Sequence, residues 1–158
     1  MTQEKKQELT LKITQANKTK MITILYEMVV QYISDALDDI AVGKRGQADI
    51  DIYHAQNCID ELIRSLNMEY ELARNLFKIY IFSKKELTAA IASYNMHRIW
   101  RVKQNFKKLY EAYEELEKSD ISEPVMGNIQ SVYAGLTYGK YTLKEDITAV
   151  SMNRGYMA

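Results

Sequence analysis

Apolar residues recur at intervals of three and four along most of this chain, and this spacing predicts helices rather than strands. The only proline is Pro124, so few residues interrupt the pattern before it. The pattern predicts four helices of about twenty residues, each about 30 Å long. They cover approximately residues 19–40, 47–66, 70–91 and 95–116.

Polar and glycine residues mark where these helices begin and end. Asn17 or Thr19 can cap the first helix, Gly43 suits the left-handed position after its end, and Asn95 can cap the fourth. The break at residues 67–68 is weak, which leaves open a nearly continuous second and third helix. Short connections predict an all-α, antiparallel up-down four-helix bundle over residues 17–119.

The two ends of the chain differ from the bundle. Residues 1–16 are polar and lysine-rich, but Leu9, Leu11 and Ile13 alternate, which predicts an extended N-terminal segment able to cover an apolar groove. Residues 120–158 form a C-terminal tail in which tyrosines and glycines are interspersed. Such a tail is typical of a docking segment, and the sequence leaves open whether it docks on a partner or on the bundle.

Two predicted helices carry more apolar surface than one buried stripe requires. The third has four consecutive large apolar residues at 79–82. In the first, further apolar residues widen the stripe: Ile22, Tyr26, Val29, Val30 and Ile33. Either a central helix contacts two neighbours, or the surplus forms a groove for helices of a partner.

Composition and charge favour a protein without nucleic-acid or membrane partners. The 21 basic and 21 acidic residues cancel, so a basic cluster around Trp100, at residues 98–108, is expected to be a solvated helix face. Acidic residues interrupt the apolar residues 21–40, which excludes membrane insertion there. No apolar segment typical of a signal peptide follows the first residues, so we expect a cytoplasmic protein.

Catalytic and cofactor motifs were not found. A lone Cys58 excludes an internal disulfide, and its mid-helix position predicts a small buried side chain. The nearest approach to a carboxylate-bridged metal motif is one copy of Asp51-x-x-His54, and no phosphate-binding loop is present. We therefore expect no enzyme activity, no metal and no cofactor.

Three segments resemble the flagellin-specific export chaperones of bacteria, the FliS family. Leu25-Tyr26 resembles the Leu-Tyr pair of the family's first helix, and Ala112-Tyr113 stands where the family commonly has Ala-Trp. The second-helix segment is the most specific: Ala55-Gln56-Asn57-x-Ile59-x-Glu61-Leu62-x-x-x-Leu66-Asn67. The resemblance covers approximately residues 9–118.

This resemblance implies a cytoplasmic chaperone that binds the C-terminal region of flagellin, prevents premature polymerisation and docks on the flagellar export gate. It implies an apolar surface that receives helices of the client. We expect the protein to be a monomer or a weak dimer. We place its partner-binding surface on the first two predicted helices, at Ile22, Leu25, Tyr26, Val29, Ala55, Ile59 and Leu62.

The sequence departs from the family pattern in three places. Asn17-Lys18-Thr19-Lys20 replaces a proline-bearing helix start, and Met28 replaces a frequent glycine. The tail 120–158 has no counterpart in shorter members. These departures are compatible with a diverged member whose client is not the main flagellin. The alternative function is a self-associating or regulatory bundle whose surplus apolar surface forms a homodimer.

Overall fold

Five helices make up the part of the chain that the computed structural model describes, residues 1–124. No strand occurs among these residues, which confirms the all-α prediction. In chain order the helices are α1 (Gln3–Thr14), α2 (Lys18–Ala41), α3 (Arg45–Arg64), α4 (Glu71–Ser93) and α5 (Met96–Glu117).

Helices α2 to α5 form the predicted four-helix bundle. Helix α2 packs against α3 and α5, and α4 closes the ring by packing against the same two helices. The connections at 42–44, 65–70 and 94–95 are short, so consecutive helices run antiparallel. One continuous core fills the space between them, with Tyr26, Met28, Ile59, Leu87 and Phe106 among its fully buried side chains.

The helix ends follow the capping signals in the sequence. The side chain of Asn17 accepts a hydrogen bond from the Lys20 N–H at 2.8 Å, and that of Asn95 accepts one from the Arg98 N–H at 3.2 Å. Gly43 has a φ of 79°, a left-handed conformation that an L side chain rarely adopts. The predicted caps and stop are therefore confirmed.

A complete break separates α3 from α4, so the nearly continuous helix that the sequence left open does not form. Helix α3 ends at Arg64 and α4 begins at Glu71. Between them, the side chain of Asn67 accepts a hydrogen bond from the Glu69 N–H at 3.0 Å. This local bond competes with helical hydrogen bonding, which is why a short polar segment is enough to end the helix.

The prediction of an extended N-terminal segment is wrong, because residues 3–14 are helical. Leu9 and Ile13 lie one helical turn apart and are both buried, whereas Leu11 between them is 63% exposed. An apolar residue at every second position over such a short distance fits a strand and a helix equally well. The i, i+4 pair is the one that finds a buried surface, against α2.

Ion pairs also attach α1 to α2. The Nζ atoms of Lys5 and Lys12 lie 2.7 and 3.2 Å from the carboxylate of Glu27. Partial burial opposes the charged form of Lys5, but its hydrogen bonds to Glu27 and Glu8 outweigh this and raise its pKa. Both lysines therefore stay charged in this contact.

The surplus apolar surface has a different explanation on each of the two helices that carry it. Helix α2 contacts α1, α3 and α5, so its wide apolar face is buried by several neighbours, as expected of a central helix. Helix α4 buries Tyr80 but leaves Ile79 and Phe82 exposed, Phe82 to 52%. Within residues 1–124, none of the five helices combines the length and the apolar character of a membrane span.

Candidate functional site

An open groove of about 270 Å³ lies at the end of the bundle where α2 and α4 begin and α3 and α5 end. The N-terminal turns of α2 contribute Lys18, Thr19 and Ile22, and α5 contributes Tyr113. The end of α3, the following connection and α4 contribute the rest: Ser65, Leu66, Asn67, Tyr70, Leu72, Ala73, Leu76 and Tyr80. Most of these side chains are apolar, so the groove favours an apolar ligand.

The spacing along α4 determines which of its residues form the wall and which form the rim. Ala73, Leu76 and Tyr80 fall on one helical face, at i, i+3 and i+7, and are buried. Leu72 lies beside that face and is 65% exposed, and Tyr70 just before the helix is similarly exposed. Two large apolar side chains are thus presented to solvent at the edge of an apolar groove.

One arginine side chain holds the connection 65–70, which carries part of this rim, by hydrogen bonds to its backbone carbonyl groups. The Arg74 guanidinium donates to the carbonyl oxygens of Met68 at 2.9 Å and Glu69 at 2.8 Å. The side chain of Asn67 also stabilises this connection, because it accepts a hydrogen bond from the Glu69 N–H. The rim is therefore held in place before any ligand is present, which lowers the ordering cost of binding.

Tyr80 and Tyr113 form the aromatic floor of the groove, and the buried rings of Tyr26 and Phe106 pack beneath them. The ring of Tyr26 lies edge-on to Tyr113 with centroids 5.1 Å apart, and the rings of Tyr80 and Phe106 stack at 6.0 Å. The hydroxyl groups of Tyr26 and Tyr80 hydrogen-bond to each other. Such contacts make the floor rigid, since each aromatic pair contributes beyond its buried area.

Burial keeps both of these hydroxyl groups neutral. It raises the pKa of Tyr80 to about 12 and raises the pKa of Tyr26 further. These two hydroxyl groups are therefore uncharged at neutral pH. Uncharged aromatic rings suit the binding of apolar side chains.

The structure places the seven predicted partner-binding residues at two depths. Ile22 is half-buried and lines the groove. The other six are buried in the core: Leu25, Tyr26, Val29, Ala55, Ile59 and Leu62. Of these, Tyr26 is linked to the groove through its contacts with Tyr80 and Tyr113. Among residues 1–124, none before Lys18 lines the groove, so α1 lies elsewhere on α2.

Sequence reasoning missed the contribution of α4 and of the connection before it. The predicted third helix, residues 70–91, includes Tyr70, Leu72, Leu76 and Tyr80, but none of them was predicted to have a binding role. Their signal is the polar break at residues 67–68, followed at once by large apolar residues. In the structure these residues lie at the end of the bundle, where Tyr70 and Leu72 are exposed at the rim of the groove.

The other candidate residues have structural roles. Cys58 is fully buried, and burial raises the pKa of its thiol, so it does not form a reactive thiolate. The ring of His54 stacks on that of Tyr32 at 5.1 Å. Arg98 and Arg101 of the basic cluster both pair with Glu86, at 3.2 and 2.7 Å. Within residues 1–124, no group of His, Cys, Asp or Glu side chains is arranged to hold a metal ion.

An antiparallel helical bundle with an open apolar groove has the form of a protein that receives a helix of another chain. The sequence matches the family model of flagellar protein FliS over residues 1–120, and the chain therefore belongs to this family. It is a family of flagellar export chaperones rather than of enzymes. Among curated proteins, none matches the chain.

Proposed function

We propose that this protein is a cytoplasmic export chaperone that binds the C-terminal helices of flagellin, prevents their premature polymerisation and supports their delivery to the export gate. The observation that carries the proposal is the groove between the starts of α2 and α4, with Leu72 and Tyr70 exposed at its rim. Family membership supports the class of client.

The seven residues predicted from the sequence fit this proposal in two roles. Ile22 contacts the client directly, and Tyr26 supports the aromatic floor from below. The remaining five are buried residues that hold α2 and α3 in the positions that shape the groove: Leu25, Val29, Ala55, Ile59 and Leu62. The contact surface extends onto α4, which carries Leu72, Leu76 and Tyr80.

The strength of binding follows from the area that the client buries. Each large apolar side chain taken out of water contributes about 1.5–3 kcal/mol. A client segment that folds into a helix on binding loses about 2–5 kcal/mol or more of this to ordering. Several engaged side chains therefore give a stable complex that still releases its client when the export apparatus competes for it.

A matched pair of variants tests the groove as the client site. Leu72→Glu and Phe82→Glu each introduce a charge at an exposed position of α4, but only Leu72 lines the groove. In titration calorimetry with a peptide of the C-terminal helices of the same organism's flagellin, Leu72→Glu is expected to lower affinity about ten- to a hundredfold. Phe82→Glu is expected to bind like the wild type, with the same negative heat-capacity change.

Two results would contradict the proposal. Equal affinity of both variants would place the client outside the groove. Absence of binding to the wild type, at concentrations where the protein is folded by circular dichroism, would exclude this flagellin as the client.

A self-associating bundle is the second candidate, and the exposed Ile79 and Phe82 on α4 favour it. These side chains lie one turn apart, so they form a small apolar patch outside the groove. Light scattering separates the candidates: a stable dimer that Phe82→Glu dissociates would support self-association. A monomer or weak dimer unaffected by that substitution would favour the chaperone.

A further inference from the structure

The chain leaves the described part of the structure beside the groove. The side-chain amide of Asn17 donates to the carbonyl oxygens of Asp120 at 3.4 Å and Ser122 at 3.2 Å. Hydrogen bonds from Thr19 and Ser122 to the Asp120 carboxylate lower its pKa. Because Thr19 also lines the groove, the segment after α5 is tied to the groove's edge.

The sequence that follows this point is apolar enough to occupy the groove. About half of the residues from 125 to 158 are apolar. Ile129, Val132, Tyr133 and Leu136 recur at intervals of three, one and three, the spacing of one helical face. A segment with this pattern has the same chemistry as an amphipathic client helix.

The connecting length is sufficient for the segment to reach the groove. The seven Cα–Cα steps from Ser122 to Ile129 span up to about 23 Å when extended. This exceeds the separation of two packed helices, about 8–10 Å. The connecting length is therefore enough for the first apolar residues of the tail to reach the groove.

We propose that residues 125–136 of the same chain occupy the groove when no client is bound, as an intramolecular competitor of the client. The regulatory meaning rests on the proposed function, whereas the docking itself is a property of this chain alone. Because the segment is attached at the groove's edge, its binding is intramolecular and needs little intrinsic affinity.

Occupation of the groove by residues 125–136 would weaken the apparent affinity of the protein for its client. If the segment fills the groove about nine-tenths of the time, the apparent client Kd is raised about tenfold. A client that binds more tightly still displaces it, and the segment covers the apolar rim again once the client leaves. The exposed Leu72 and Tyr70 are then shielded from other chains between clients.

Site-directed photo-cross-linking of the full chain tests the docking directly. Leu72→Cys and, as a matched control, Phe82→Cys are each labelled with a benzophenone maleimide. The buried Cys58 does not compete for the label, because burial raises its pKa and closes access. Irradiation without client, followed by mass spectrometry, is expected to join position 72 to peptides from 125–136. The label at position 82 is expected to give none of these products.

Mixing isotopically light and heavy protein shows whether each product joins one chain or two. Products within a single chain at position 72 support the proposal. Products between two chains, the same products at both positions, or the absence of tail products at position 72 would overturn it.

A tail variant links docking to client binding. Ile129→Asp combined with Tyr133→Asp, in the full chain, is expected to abolish the cross-link from position 72. The same variant without the added cysteine is expected to bind the flagellin peptide several-fold more tightly than the wild type. A persistent cross-link, or an unchanged affinity for the peptide, would contradict the proposal that the tail competes with the client for the groove.

The two readouts keep this inference separate from the proposed function. Peptide binding without an intramolecular cross-link would contradict docking of the tail but support the proposed chaperone function. A cross-link in the wild type, with no peptide binding by the wild type or the tail variant, would support docking of the tail and exclude this flagellin as the client.

Discussion

Leu87 and Leu72 lie four turns apart on α4, but Leu87 is fully buried whereas Leu72 is 65% exposed. The difference reflects the two ends of the bundle. At the end where α4 finishes, α4 and α5 are joined by two residues, and Ile52, Leu87 and Ile99 are sealed in the core. At the other end, after the six-residue connection 65–70, Leu72 in the first turn of α4 is exposed, and the groove opens there.

Polar and cation–π contacts also join the helices at the closed end. Tyr94 takes a left-handed conformation with a φ of 48°, and its hydroxyl donates to the Asp49 carboxylate at 3.2 Å. The guanidinium of Arg45 lies 4.7 Å above its ring. One end of the bundle thus stabilises the fold, and the other presents an apolar surface at the cost of leaving it exposed to water.

The largest expected effect comes from truncating the same residue type at the two ends. Leu87→Ala is expected to lower the free energy of unfolding by about 2–5 kcal/mol, because it leaves a cavity in the core. Leu72→Ala is expected to change it by no more than about 0.5 kcal/mol. Urea unfolding followed by circular dichroism measures both. Equal losses would contradict the distinction between a sealed end and an open end.

The floor of the groove is tested by a double-mutant cycle on Tyr26 and Tyr80. Either Tyr→Phe substitution removes the hydrogen bond between the two buried hydroxyl groups and is expected to cost about 1–3 kcal/mol. The double variant is expected to cost less than the sum, because both substitutions remove the same hydrogen bond. Strict additivity would show that the two hydroxyl groups do not stabilise each other.

The helix caps provide a smaller comparison between the ends. Asn95→Ala is expected to cost about 0.5–2 kcal/mol through loss of the α5 cap. Asn17→Ala is expected to cost more, since Asn17 also donates to Asp120 and Ser122. Asn17→Asp keeps the cap acceptor but removes those donors, so it separates the two contributions. Equal costs for Asn17→Ala and Asn95→Ala would mean that the contacts to 120–122 add nothing.

Ionisation of the buried tyrosines is expected to have the smallest effect on the free energy of unfolding near neutral pH. This effect becomes visible only at alkaline pH. The pKa of Tyr80 is about 12 in the folded protein against an ordinary 10.0, so the unfolded chain loses this proton first as pH rises. The unfolded state then binds fewer protons than the folded state, and stability falls between these two values. Tyr80→Phe is expected to make this fall shallower in urea titrations. An unchanged slope would contradict burial of this hydroxyl.

The sequence predicted the bundle well because its signals are local. The periodic apolar stripes, the caps at Asn17 and Asn95 and the glycine at Gly43 each act within a turn or two of chain, and all are confirmed. The N-terminal segment was predicted wrongly because Leu9, Leu11 and Ile13 are too few to distinguish a helix from a strand. Only the packing of α1 on α2 decides between them.

The site was harder to predict because exposure depends on which helices meet. Leu25, Tyr26 and Ile59 have the same residue types as a binding surface, but they are enclosed by neighbouring helices. Leu72 is just as ordinary a residue, but it stands exposed at the rim of the groove in the first turn of α4. The prediction of the client surface on α2 and α3 stays a prediction until binding is measured.

The most direct measurement is methyl NMR of the full-length protein with and without the flagellin C-terminal peptide. Methyl signals at the open end, those of Ile22, Leu66, Leu72 and Leu76, are predicted to shift on binding. Those at the closed end, Ile52, Leu87 and Ile99, are predicted to stay in place. Shifts concentrated at Ile79 on the outer face of α4, or at the closed end, would contradict the claim that this groove receives the client.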